Sequence, residues 1–108
     1  AYTMKREIKL KNAEDYESLI VRELAYYAPM VGALGISTDV LVEAAKLGVR
    51  DGIHTHRASK ACKYREAECV AFNIRHFIDI TIVRACLLAS SEDEMEKAEA
   101  VLMQLIED

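Results

Sequence analysis

Apolar positions recur at three- and four-residue steps through most of the 108-residue chain, which is the period of an α-helix seen from one side. Tyr16, Leu19, Ile20, Leu24 and Tyr27 make the first such stripe. Asn12 or Asp15 is placed to cap it by accepting from free backbone N–H groups. Pro29 predicts an end or a kink near Ala28, because proline has no N–H to donate and its ring crowds the preceding turn. The next segment, PMVGALGIS, reads as a short helical turn. Ser37 or Thr38 predicts the start of a second helix, with Asp39 near its positive end and Val40, Leu41, Ala44 and Leu47 on its apolar side. Gly48 reads as the stop of that helix, and GVRDGIHTHR, with Gly48 and Gly52, as a loop. No Gly or Pro interrupts the chain from Ala58 to Ala89, so one long helix is predicted over 58–89. Ser90 or Ser91 ends it. Ser91 and Glu94 have the spacing of a reciprocal cap for a last helix with Met95, Ala98, Leu102 and Leu105 as its buried stripe.

These elements predict an all-α fold: a bundle of about four helices with one long central helix, in a single domain spanning 1–108. Residues 1–11 are expected to form a short N-terminal arm or short strand. Composition strengthens this reading, with 4 Gly and 1 Pro against 52% apolar and 30% charged residues; few chain breakers and many helix formers favour helices. A net charge of -4 gives no general attraction to nucleic acid or to an anionic membrane. No apolar run approaches the ~18 residues of a bilayer span, and AYTMKREIKL lacks the apolar region of a secretory signal. Cys62, Cys69 and Cys86 are odd in number and form no C-x-x-C pair, which predicts reduced, buried thiols and a cytoplasmic protein.

The predicted long helix has two unlike faces. Counting 100° per residue, Ala67, Val70, Ala71, Ile74, Phe77, Ile78, Thr81, Ala85 and Leu88 gather on one side as a core face. The other side is mixed. It carries Cys69, Phe72, Asn73, Arg75, His76, Asp79, Ile80, Val83 and Leu87, many of them at the alternating four- and three-residue steps of a helix-pairing seam. Apolar anchors set among polar groups suit a partner interface, with Arg75, His76 and Asp79 as a buried polar network inside it. The leading expectation is therefore a non-enzymatic helical module. It would act by self-association, as a homodimer or higher oligomer, or by binding a protein partner through this face.

Residues able to carry chemistry define the alternative. His54, His56 and His76, with Cys62, Glu66 and Cys69, are all of metal-ligand type. Cys62 and Cys69 fall two turns apart on the predicted helix, too far for one ion, so no metal and no cofactor are expected. The segment EDYESLIVRELAYYAPMVGAL resembles a helix of the HEPN ribonucleases, and EDEMEKAEAVL is similar in character to that family's last helix. The resemblance implies a dimeric helical bundle in which an Arg and a His a few residues apart cleave RNA, with Arg50 and His56 in those places. In this alternative an enzymatic or ligand-binding bundle uses Arg50, His54, His56, Arg75 and His76, and Arg50, His56 and His76 are its catalytic candidates. Arg57, Lys60, Lys63 and Arg65 lie in a basic segment suited to a phosphate or RNA backbone. That segment could equally pair with the chain's own acidic residues 92–99, and nucleic acid is not the favoured partner.

Overall fold

The computed structural model describes residues 16–107. The N-terminal arm and the caps expected at Asn12 or Asp15 lie outside them. Among the described residues there are four helices and no strand: α1 (Glu17–Leu34), α2 (Thr38–Ala58), α3 (Glu66–Leu87) and α4 (Glu92–Glu107). None is long and apolar enough to cross a membrane. The all-α bundle expected from the periodicity is the fold that forms.

Helix starts obey the expected chemistry. The Ser37 Oγ accepts from the Asp39 N–H at 3.1 Å. Before α4 the cap is reciprocal: the Ser91 Oγ accepts from the Glu94 N–H at 3.1 Å, and the Glu94 carboxylate accepts from the Ser91 N–H at 3.0 Å. Donation from the Ser91 and Ser90 backbone holds the Glu94 carboxyl below its ordinary range. α1 ends at Gly35, whose φ of 69° is a left-handed conformation that glycine adopts without strain.

Three boundaries differ from expectation. α1 does not end near Ala28 but runs through Pro29 to Leu34. Ala25, Ala28 and Pro29 are solvent-exposed while Tyr27, Met30 and Val31 are buried, so the carbonyl that Pro29 leaves unbonded lies on the wet side of the helix. Gly48 does not stop α2, and GVRDGIHTHR is not a loop: the helix continues to Ala58. The long helix over 58–89 is shorter, because Ser59 to Arg65 connect α2 to α3 outside any helix.

The two glycines explain the second difference. Gly48 and Gly52 are one turn apart on the buried side of α2, in line with Ala44, Ala45, Val49 and Ile53. A Cβ on Gly48 would stand 2.6 Å from both the Asn73 carbonyl oxygen and the Ile74 Cα, and one on Gly52 would stand 2.8 Å from the Val70 Cα. The pairing of 48 with 74 and 52 with 70 makes α2 and α3 antiparallel, with backbone touching backbone.

α3 is the centre of the bundle. Val70, Ile74, Ile78 and Ile82 are fully buried, and Cys86 nearly so, at uniform four-residue steps. This stripe shares Val70, Ile74 and Ile78 with the expected core face. It then drifts round the helix to Ile82 and Cys86, because four residues turn 40° more than one full turn. Ala67 and Leu88, expected in the core, are exposed. The Cys86 thiol donates to the Ala98 carbonyl at 3.7 Å, where α4 crosses. On α4 itself Ala98 and Val101 are buried, whereas Met95 is 54% exposed. Each fully buried isoleucine of the stripe is worth about 1.5–3 kcal/mol, so α3 carries a large share of the apolar stabilisation.

Gly48→Ala is expected to destabilise the fold by about 1–3 kcal/mol or more, despite the gain of about 1 kcal/mol in intrinsic helix propensity. Urea unfolding followed by circular dichroism measures it; an unchanged or raised midpoint would mean that the helices do not touch at this point.

Candidate functional site

Each flank of α3 carries a distinct set of polar groups, and the expected site residues are divided among them. On the α1 flank, Glu23 is 4% exposed and its carboxylate accepts from Arg75 Nε at 2.5 Å and from Arg75 Nη2 at 3.2 Å, with Arg22 Nη2 at 3.4 Å. The Glu23 contact raises the Arg75 guanidinium above its ordinary value. One turn on, the Tyr27 hydroxyl donates to Asp79 Oδ1 at 2.6 Å. Tyr27 is 3% exposed. Burial, the Asp79 hydrogen bond and the Asp79 charge all push its phenol well above the usual value of 10.0.

The network expected among Arg75, His76 and Asp79 is therefore not made within the chain. Arg75 and Asp79 turn to α1, while His76 is exposed and among the described residues makes no hydrogen bond. Its ring lies parallel to Phe72, with centroids 6.4 Å apart, and edge-on to Phe77 at 6.0 Å. The buried polar centre is Glu23, whose role no sequence signal marked: a glutamate among tyrosines and leucines looks the same whether it faces water or Arg75.

The start of α3 is held by a second hub. The Glu66 carboxylate accepts from the Tyr16 hydroxyl at 2.9 Å and from Arg57 Nε at 2.8 Å and Nη2 at 3.4 Å, so one side chain ties α2 and α3 to the residue that precedes α1. Arg57, expected among the anion-binding residues, is thus engaged internally and 24% exposed. Arg65 is 88% exposed and meets Glu68, and Lys60 and Lys63 stand in solvent on the connection.

The remaining candidates separate onto two further grooves. Arg50 and His54 share a groove of about 820 Å³ with Leu47, Asp51 and Phe77. His56 faces a different one, of about 830 Å³, floored by Cys69 and Phe72 and walled by Arg22 and Cys62. Arg50 and His56 do stand on one helix, but a spacing of six residues points them about 120° apart around it. The pair that the HEPN resemblance implied is not brought together, nor are His54 and His56 joined by His76.

What the fold does assemble is His56, Cys62 and Cys69. Their ligand atoms all lie within 4.8 Å of one another. His56 Nδ1 is 3.3 Å from Cys69 Sγ, and the two sulfurs are 3.5 Å apart. The separation expected from a common helix does not exist, because Cys62 precedes α3 on the connection and folds back over its first turn. All three cysteines are free thiols. Burial, then the neighbouring Cys62 thiol, pushes the Cys69 thiol above its ordinary value. Comparison of the chain with protein-family models, with curated proteins and with solved structures finds no match.

Tyr27 gives a pH-dependent outcome. Its neutral form is favoured by the fold, so the unfolded chain loses that proton first. The contribution is present in full below about pH 10 and fades as pH rises beyond it. Tyr27→Phe is expected to cost about 1 kcal/mol at neutral pH, since the Asp79 carboxylate loses its donor. The gap between variant and parent should narrow between about pH 9 and about pH 11 in urea melts. A gap that stays constant or widens would show that the phenol titrates normally.

Proposed function

We propose that the protein is a helical self-association module in which a second copy packs on the outer face of α3. The observation that carries this reading is one stripe of side chains. Phe72, His76, Ile80, Val83 and Leu87 succeed one another at four- and three-residue steps on the side of α3 opposite Val70, Ile74 and Ile78. Phe72 is 69% exposed and Leu87 is 77% exposed, while Ile80 and Val83 are half-buried. α1 takes up Arg75 and Asp79, α2 takes up the backbone at Asn73 and Ile74, and α4 takes up Cys86. The outer stripe is what the three neighbours leave uncovered.

Two properties favour a second copy as the occupant. The alternating steps are those of a helix-pairing seam, in which side chains of one helix enter gaps between those of another. The stripe also has a polar group, His76, one step in from Phe72, where an exposed imidazole can meet its counterpart across a two-fold axis. The three free thiols suit a reducing compartment such as the cytoplasm.

Sedimentation or light scattering at micromolar concentration tests the proposal. The wild-type chain is expected to exceed the 12.1 kDa protomer mass. Phe72→Glu and Leu87→Glu are each expected to return it towards that mass without loss of helix, because both side chains are exposed in the protomer and leave its core intact. A wild-type chain that runs at 12.1 kDa across that range refutes the self-association reading.

A further inference from the structure

We propose that His56, Cys62 and Cys69 form a binding site for a zinc-type divalent ion, with three protein ligands and a fourth position open to the groove beside α3. The inference is independent of self-association and rests on distances. A tetrahedral ion with metal–sulfur bonds of about 2.3 Å and a metal–nitrogen bond of about 2.0–2.1 Å needs its sulfurs about 3.8 Å apart and each sulfur about 3.5 Å from the nitrogen, by the geometry of those same bonds. The two thiols stand 3.5 Å apart and the imidazole nitrogen stands 3.3 Å from Cys69 Sγ. These two separations match the tetrahedron to within a few tenths of an ångström, and the third, from His56 to Cys62, lies within 4.8 Å and shortens as the ion is bound.

The ligands come from three separately fixed places. His56 is on the last turns of α2, held against α3 by the close approach at Gly52; the Cβ that glycine lacks would meet the Cys69 carbonyl oxygen at 3.1 Å. Cys69 is on the first turn of α3, where its carbonyl also accepts from Asn73 Nδ2 at 2.8 Å. Cys62 is on the connection, and its thiol also lies 3.9 Å from the Tyr64 carbonyl. Neither nearby carboxylate is a fourth ligand: Tyr16 and Arg57 occupy the oxygens of Glu66, and Glu68 turns to the Arg65 backbone and guanidinium. All three ligands border the groove that contains Phe72 and Arg22, so water or a ligand atom reaches the fourth position.

Two sulfurs and one imidazole select a borderline or soft ion over magnesium or calcium, which take oxygen donors. Binding is an exchange. The ion gains two thiolate bonds and one bond to neutral imidazole, and the two thiol protons leave to solvent. The affinity must therefore fall as pH is lowered.

Cobalt(II) is the probe, added to the full-length chain that has been reduced and freed of metal with a chelator. The expected result is one ion per chain, a thiolate-to-cobalt charge-transfer absorption in the near ultraviolet, and displacement of both by zinc. Cys62→Ser and Cys69→Ser are each expected to lose the charge-transfer band while keeping their helix content. His56→Ala should bind more weakly, and Cys86→Ser, altered at a buried thiol at the other end of α3, should match the wild type. Zinc should also raise the melting temperature of the wild type, and a chelator should reverse the shift. The proposal is overturned if the reduced chain gives no charge-transfer band at stoichiometric cobalt. It is also overturned if the band survives Cys62→Ser, or if Cys62 and Cys69 readily form a disulfide while the reduced chain takes no ion.

Discussion

The backbone contact between α2 and α3 at Gly48 and Gly52 sets the positions of most other groups in the molecule. Side chains at these positions would meet main-chain atoms of Asn73, Ile74 and Val70 at 2.6–2.8 Å, and main chain cannot rotate out of the way. With no side chain there, the two helices approach until Val70 and Ile74 are wholly enclosed. The same geometry extends one turn further. His56 is the next residue after Gly48 and Gly52 at four-residue spacing, so the step that seats Gly52 on Val70 seats the imidazole beside Cys69. A packing constraint thus becomes a chemical arrangement, with no separate device needed to bring histidine and thiol together.

Polar contacts fix the opposite flank and thereby define the open face. Glu23 with Arg75, and Tyr27 with Asp79, set α1 parallel to α3. Glu66 ties α2 and α3 to Tyr16. A carboxylate as enclosed as Glu23 is tolerated because its oxygens are met by guanidinium groups. Arg75 and Asp79, charged groups threaded through the apolar text of α3, belong to these contacts. With α1, α2 and α4 in place, three sides of α3 are covered. Its fourth side keeps Phe72, His76 and Leu87 in solvent, which is why both proposals converge on this helix, one at its outer stripe and one at its first turn.

Much of the bundle was legible in the pattern of residues. The stripe of Tyr16, Ile20 and Tyr27, the cap at Ser37 and the reciprocal cap of Ser91 and Glu94 all arise from local chemistry that the folded chain obeys. Gly48 and Gly52 did not read correctly because the same residue serves opposite ends: absence of a side chain permits a turn, and it equally permits a helix to lie against another backbone. Only the partner helix distinguishes the two. That one ambiguity moved the start of the central helix from 58 to 66, put Cys62 on the wrong element and hid its meeting with Cys69. Arg75, His76 and Asp79 were recognised as unusual, but adjacency on a helix did not reveal that neighbours would draw two of them inward and leave the third out. Val101 replaced Met95 in the core because the buried side of α4 is set by where it crosses Cys86 and Ala98.

The contact at Gly48 and Gly52 is most directly measured by proton cross-relaxation in solution. Strong effects are predicted between the Hα protons of Gly48 and the Hα of Ile74, and between those of Gly52 and the Hα of Val70, with the Gly48 amide protected from exchange inside a helix. Absence of both cross-relaxation effects, together with rapid exchange of the Gly48 and Gly52 amides, would contradict the account. It would return residues 48–57 to a loop and separate His56 from Cys69.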